Sequence, residues 1–290
     1  MAFKSGYVNI IGKPNAGKST LMNALLGEKL SIITPKAQTT RHRIIGILND
    51  INYQIVFSDT PGILKPVYKL QEYMLQAVEG SFQDADVFVY VADVTGAKTA
   101  EEIPEKAIKE NVPLLILLNK IDTLKQDQLE NITALYRQAY PNAELIPVSA
   151  LHKFNMDYLL KRLIDLLPEG APYFEQDALS DRSERFFVSE IIREKILLNY
   201  QKEIPYSVEV IVEEFKEEPE ITRIRAIIYV SRESQKGILI GHQGSALKKT
   251  STQARKSIEE FLNKHVYLDV QVKVSKDWRD SERQIKRFGY

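Results

Sequence analysis

The chain has no cysteine among its 290 residues. That excludes disulfides, thiolate metal sites and cysteine nucleophiles, and it fits a reducing cytoplasm. Only four histidines occur, scattered without ligand spacing, so no histidine-built metal centre is expected. Net charge is lacking too, because 39 basic and 39 acidic residues cancel. No apolar run approaches the ~20 residues that span a bilayer. The opening MAFKSGYVNIIG has no apolar stretch followed by a cleavage site, so no secretory signal is expected. Repeats and low-complexity tracts are absent as well. What remains is an ordinary globular composition, 44% hydrophobic and 27% charged, with room for one large and one small domain.

The zero net charge hides an asymmetry. Residues 1–180 carry 18 Lys+Arg against 21 Asp+Glu, residues 181–220 carry 6 against 11, and residues 221–290 carry 15 against 7. A basic C-terminal segment on a neutral chain suggests a local anionic partner, the alternative being a solvated basic face.

Apolar runs and helix-like stretches alternate over the first ~165 residues. The runs are Tyr7–Ile11, Ile44–Leu48, Tyr53–Ser58, Val87–Ala92, Leu114–Leu118 and Leu145–Val148. This pattern predicts an α/β domain with a mostly parallel sheet, whose functional groups gather at the C-terminal strand ends. A helix-like Met156–Leu167 runs into Pro168-Glu169-Gly170-Ala171-Pro172, which stops a helix. The expected organisation is therefore a domain over 1–168, a linker over 169–182 and a smaller α+β domain over 183–290. In the last, the order α-β-β-α-α-β is predicted: helix 186–200, strands 206–215 and 221–230, a short helix to Ile240, helix 246–262 and strand 266–274.

Gly12-Lys13-Pro14-Asn15-Ala16-Gly17-Lys18-Ser19 satisfies G-x-x-x-x-G-K-[ST] between a strand pattern and a helix pattern that begins with Thr20. The glycines let backbone amides converge on phosphate oxygens, and the helix N-terminus favours the negative charge. Lys18 would reach the β- and γ-phosphates and Ser19 would ligate Mg²⁺. Asn119-Lys120-Ile121-Asp122 sits at a strand tip. Its aspartate can accept from guanine N1–H and N2–H₂, donors that adenine lacks, so GTP and GDP are the expected ligands. Asn119 could bridge the base to the phosphate loop, the Lys120 stem could cover the base, and the amides of Ser149-Ala150-Leu151 could contact guanine O6. Asp59-Thr60-Pro61-Gly62 would hold a Mg²⁺-bound water through Asp59 and sense the γ-phosphate through Gly62. Between these motifs lies Gln38-Thr39-Thr40-Arg41. Either threonine could complete the Mg²⁺ shell, and Thr40 is preferred. Lys18, Thr40 and Gly62 are the residues expected to act on the transferred phosphate.

Taken together, G-K-P-N-A-G-K-S, Q-T-T-R, D-T-P-G, N-K-I-D and S-A-L look like the translation-factor-type branch of GTPases. The whole chain, through Glu190-Ile191-Ile192-Arg193-Glu194-Lys195 and Asp277-Trp278-Arg279, resembles the Era-type bacterial GTPases. The resemblance implies a GTPase domain followed by a type II KH domain. It also implies binding to small-subunit ribosomal RNA near its 3′ end, and a part in small-subunit assembly. Gly241-His242-Gln243-Gly244 then reads as the KH loop, which clamps about four nucleotides. His242 and Gln243 stand where such loops often carry a basic residue, so Lys248 and Lys249 are expected to matter more. Many GTPases orient the attacking water with a glutamine directly after the D-x-x-G glycine. Here that position is Ile63, which implies slow intrinsic turnover and another source of charge stabilisation. Asn15 matches the asparagine that related GTPases use to hold K⁺; its alternative is a loop-shaping role. Trp278 could stack on a base or pack the final strand, and residues 279–287 could be an RNA-contacting tail or a solvated end. A cytoplasmic monomer is expected. No lipidation or amphipathic signature stands out, so any membrane contact would be peripheral. Two rival functions stay open, a GTPase acting on another RNA, as in tRNA modification, and a signalling switch with a protein-binding C-terminal domain.

Overall fold

The computed structural model describes residues 2–109 and 112–290. The chain forms two compact units, Met1–Lys65 with Met74–Asp181 and Pro66–Tyr73 with Arg182–Tyr290.

The first unit holds β1 (Lys4–Ile11), α1 (Lys18–Leu26), β2 (Ile44–Asn49), β3 (Tyr53–Asp59), most of α2 (Lys69–Ser81), β4 (Val87–Asp93), α3 (Glu105–Lys109), β5 (Leu114–Asn119), α4 (Gln126–Ala139), β6 (Glu144–Pro147) and α5 (Met156–Leu166). Its six strands are ordered β2-β3-β1-β4-β5-β6. All pairings are parallel except β2 with β3. The central strands are buried on both faces, as their unbroken apolar runs require, with Val87–Ala92 and Leu115–Leu118 almost wholly covered. Because the strands run together, β1, β3 and β5 deliver Gly12, Asp59 and Asn119 to the same edge of the sheet.

Residues 169–181, expected as linker, lie along this unit. The Gln54 side chain is buried and grips them at both ends of its amide. Its Oε1 accepts from the Tyr173 and Phe174 amides at 2.7 and 3.0 Å, and its Nε2 donates to the Phe174 carbonyl at 2.9 Å. Further on, the Ile47 amide donates to the Leu179 carbonyl at 2.9 Å, and Asn49 Nδ2 to the Ala178 carbonyl at 2.9 Å. Phe174 and Ala178 pack on Ile45, Ile47 and Val56. The exposed side of edge strand β2 is thereby covered, which removes a site for unwanted strand pairing.

The second unit contains α6 (Glu184–Asn199), α7 (Ile204–Ser207), β7 (Glu209–Glu217), β8 (Ile221–Val230), α8 (Glu233–Ile240), α9 (Ser245–Leu262), β9 (His265–Val274) and α10 (Glu282–Arg287). It keeps the predicted order α-β-β-α-α-β and adds two short helices, α7 and α10. β8 is central, antiparallel to β7 and parallel to β9. One face of this sheet and helices α6, α8 and α9 enclose a core built on Ile192, Ile196, Ile228 and Ile258. Trp278 is fully buried, donates its indole N–H to the Ser207 carbonyl at 2.9 Å and meets Phe288 edge-on, so it packs and does not offer a face to a base. The 279–287 stretch is likewise structured, with α10 anchored by buried Ile285. The Pro66–Tyr73 segment joins this unit through Tyr68, whose ring lies 4.9 Å from the Arg279 guanidinium.

Candidate functional site

β1 ends at Ile11, and Gly12–Gly17 wraps back before α1 begins at Lys18. Gly17 has φ 103°, and an added Cβ would stand 2.3 Å from Asn119 Nδ2, so only glycine fits that turn. No side chain caps the N-terminus of α1, which leaves its first amides open to an anion. Lys18 is buried inside the loop, and its ammonium donates to the Gly12 and Lys13 carbonyls at 3.1 and 2.9 Å. Burial pushes it down to about 8, against the opposing pull of the Asp59 and Glu101 charges.

Three oxygen side chains converge beside it. Ser19 Oγ lies 2.6 Å from Asp59 Oδ2 and 2.9 Å from Thr40 Oγ1, and Thr40 Oγ1 is 3.5 Å from the same carboxylate oxygen. Thr39 is engaged elsewhere, with Thr34 Oγ1 and the Lys36 carbonyl, each at 2.6 Å. Asp59 is fully buried, and its Oδ1 has no hydrogen-bond partner. Burial raises this carboxyl above its ordinary value, and Ser19, Lys18, Thr40 and the nearby Ser31 hydroxyl, which falls short of hydrogen-bond geometry with it, pull it back. Hydroxyl and carboxylate oxygens with an unsatisfied buried acceptor suit a hard divalent cation. Among the described residues no cluster of three or more His, Cys, Asp or Glu offers a second metal centre. Thr60 holds the following turn through its hydroxyl on the Ile10 carbonyl at 2.9 Å. Pro61 is buried, and a Cβ on Gly62 would come within 2.7 Å of Pro14, so this turn presses on the phosphate loop. Ile63 donates its amide to the Gly12 carbonyl at 3.2 Å and packs on the core. Asn15 is exposed, has φ 61° and donates to the Pro35 carbonyl at 3.1 Å.

The N-K-I-D and S-A-L motifs close the other end. Asn119 Nδ2 donates to the Ala16 carbonyl at 2.8 Å, and Asn119 Oδ1 accepts the Ala150 amide at 3.0 Å. One buried amide thus ties the phosphate loop to both guanine-type motifs. Ser149 Oγ donates to Asp122 Oδ1 at 2.5 Å and orients that carboxylate. Lys120 takes φ 68° and pairs with Asp93 at 2.5 Å, which fixes its stem. A single cleft of about 540 Å³ collects residues from all five motifs, among them Asn15, Lys18, Thr20, Thr40, Gly62, Lys120, Asp122, Ala150 and the exposed Leu151. Ile32, Ile33, Thr34 and Pro35 line it as well. No motif marks them in the sequence; their only signal is their place just before Q-T-T-R.

In the second unit Gly241–Gly244 joins α8 to α9. Gly241 has φ 71°, and a Cβ there would meet the Ala246 Cβ at 2.6 Å. Gln243 and Gly244 also take positive φ. The loop therefore turns sharply and leaves His242 and Gln243 exposed at the start of α9. Lys248 and Lys249 follow on the first turns of α9, both exposed. Ile238, half-exposed, adds an apolar surface on the preceding helix.

Known proteins can be set beside this geometry. The family described as "50S ribosome-binding GTPase" matches residues 7–120, and the family described as "KH domain" matches residues 203–279. The GTPase Era of Clostridium kluyveri is 45% identical over 290 residues, covering 99% of both chains. That of Syntrophus aciditrophicus is 46% identical over 292 residues, covering 99% of this chain and 95% of its own. A crystal structure of Era in complex with MgGDPNP and nucleotides 1506–1542 of 16S ribosomal RNA superposes with a TM-score of 0.95 at 40% identity, covering 99% of each chain. A variant of Aquifex aeolicus Era bound to GDP and AlF₄⁻ gives 0.95 at 39% identity with the same coverage. Likeness at this level along the whole length means that the chain belongs to the Era family of GTPases.

Proposed function

We propose that this GTPase is a molecular switch that binds small-subunit ribosomal RNA near its 3′ end and assists assembly of the small ribosomal subunit. One observation carries the reading. Five motifs scattered from Gly12 to Leu151 line one cleft, in a chain that superposes end to end on an Era crystallised with MgGDPNP and 16S ribosomal RNA. The "50S" in the description of the GTPase family concerns residues 7–120 alone, so the relatives matching the whole chain decide the ribosomal partner.

In this reading the open amides of Gly12–Ser19 receive the phosphates, and Lys18 exchanges its two carbonyl partners for phosphate oxygens. Ser19 and Thr40 would hold Mg²⁺, with Asp59 on a water bound to it, and the ion would supply charge neutralisation at the phosphates. The Gly62 amide contacts the γ-phosphate, and Asp122, aimed by Ser149, selects guanine. Ile63 cannot orient water, so Asn15 is assigned to a K⁺ that supplies the missing positive charge. In the second unit Gly241–Gly244 lets the sugar-phosphate chain approach closely, and Lys248 and Lys249 supply the phosphate contacts that His242 and Gln243 lack. The protein works as a monomer in the cytoplasm. No helix among the described residues is long and apolar enough to cross a membrane.

Photocrosslinking of the full chain to total cellular RNA, with a non-hydrolysable GTP analogue or GDP present, tests the partner. Crosslinks from residues 241–249 to the 3′ region of the small-subunit RNA are expected. Crosslinks confined to tRNA would move the protein to the rival RNA function. Partner binding insensitive to nuclease would make the second unit a protein-interaction module.

A further inference from the structure

Glu101 lies between β4 and α3, outside every motif read from the sequence. A mostly buried carboxylate needs partners, and this residue is held from several sides. The Tyr90 hydroxyl donates to its Oε2 at 2.8 Å. Its own amide donates to the Tyr136 hydroxyl at 3.0 Å. The Tyr140 hydroxyl donates to its carbonyl at 2.7 Å and accepts the Ile103 amide at 3.0 Å. Burial, reinforced by the Glu101 charge, raises Tyr90 well above the ordinary phenol range, so this clamp stays protonated. The Glu101 side chain is 11% exposed and pairs with Lys13 Nζ at 3.6 Å. Lys13 belongs to the phosphate loop, and its carbonyl seats the Lys18 ammonium at 2.9 Å. A line of contacts therefore runs from three tyrosines through Glu101 and Lys13 to the phosphate-binding lysine.

We propose that Glu101 is a positioning residue for nucleotide retention, a fixed anchor that holds the Lys13 arm of the phosphate loop and steadies the backbone that seats Lys18. The inference rests on the nucleotide reading of the cleft. The Lys13 ammonium stands 3.6 Å from Glu101 Oε2, while Lys18 and Lys120 are the lysines that line the cleft.

The test is a double-mutant cycle on the full chain, read as the release rates of fluorescent GDP and of a fluorescent non-hydrolysable GTP analogue. Glu101→Gln keeps an acceptor for Tyr90 and removes the charge; Lys13→Met keeps the aliphatic stem and removes the ammonium. Each should speed release about two- to fivefold, the range for a partly exposed ion pair. The double variant should release no faster than the faster single variant, because both substitutions cut one tether. Multiplying effects, or unchanged release in Lys13→Met, would overturn the proposal. Lys13 is mostly exposed, so that variant should fold even if Glu101→Gln does not. Failure of the parent protein to bind either nucleotide would instead overturn the reading on which the proposal rests.

Discussion

Asp122 lines the cleft, with Oδ1 held by the Ser149 hydroxyl at 2.5 Å and Oδ2 3.7 Å from His152 Nε2. Asp122→Asn replaces an acceptor with a donor, so guanine loses its partner while a xanthine carbonyl gains one. Titration with GDP and xanthosine diphosphate should show a preference reversed by at least about tenfold, or roughly 1.4 kcal/mol. Equal ATP and GTP affinity in the parent would contradict the role given to Asp122. Gly17 is constrained from both sides, by φ 103° and by Asn119 Nδ2 2.3 Å from a virtual Cβ. Gly17→Ala should cost about 1–3 kcal/mol of stability in backbone strain alone, and calorimetry should show it together with a loss of nucleotide binding, because Asn119 must move off Ala16. The Ile63 side chain packs on the core and offers the cleft no polar group. If K⁺ beside Asn15 replaces a catalytic side chain, turnover in K⁺ should exceed turnover in Na⁺, and Asn15→Ala should abolish the difference. Equal rates in both salts for the parent would remove K⁺ from the account.

At the scale of elements, the sequence made the sheets legible because their strands are either buried on both faces, like Val87–Ala92, or alternate, like Ile221–Val230. The phosphate loop was legible because glycine is required by its geometry, and N-K-x-D because a strand tip places it. Hydrogen bonds between distant residues left no such trace. Nothing near Gln54 announces that its amide holds Tyr173 and Phe174, about 120 residues away, so 169–182 read as linker from its prolines and glycine alone. Nothing near Glu101 announces its tyrosines either, since Tyr90 comes from β4, Tyr136 from α4 and Tyr140 from the residue just after α4. Short α7 and α10 have too few residues for a helical period, and Trp278 could not be assigned until Ser207 stood opposite its indole. The Gln54 contact has a measurable consequence. Gln54→Ala would leave buried backbone groups without partners at about 1–3 kcal/mol. Denaturant unfolding should show that loss, and limited proteolysis should cut residues 172–181 faster than in the parent. An unchanged cleavage rate would mean that the segment is held by its apolar contacts to Ile45, Ile47 and Val56 instead.

Across the whole molecule, the proposed switch requires the cleft of the first unit to influence the Gly241–Gly244 loop of the second. The chain passes from Gly62, in the cleft, directly to Pro66–Tyr73, which belongs to the second unit. A change at Gly62 on loss of the γ-phosphate thus has a covalent route to the second unit. If GTP alters RNA affinity, RNA must alter GTP affinity by the same factor, typically about 5–150-fold or ~1–3 kcal/mol. Replacing Gly241 and Gly244 together with aspartate should abolish RNA binding through bulk and charge and leave nucleotide binding intact. Retained RNA binding in that variant would reduce the loop to a turn. Coupling between the cleft and the loop is read from the affinity of the full chain for an RNA spanning the 3′ end of the small-subunit RNA. It should be measured with a non-hydrolysable GTP analogue, with GDP and without nucleotide, at one salt concentration because phosphate contacts are salt-dependent. The account predicts tighter binding with the GTP analogue than with GDP, by at least about fivefold; identical affinities in all three states would contradict it and leave two independent domains on one chain.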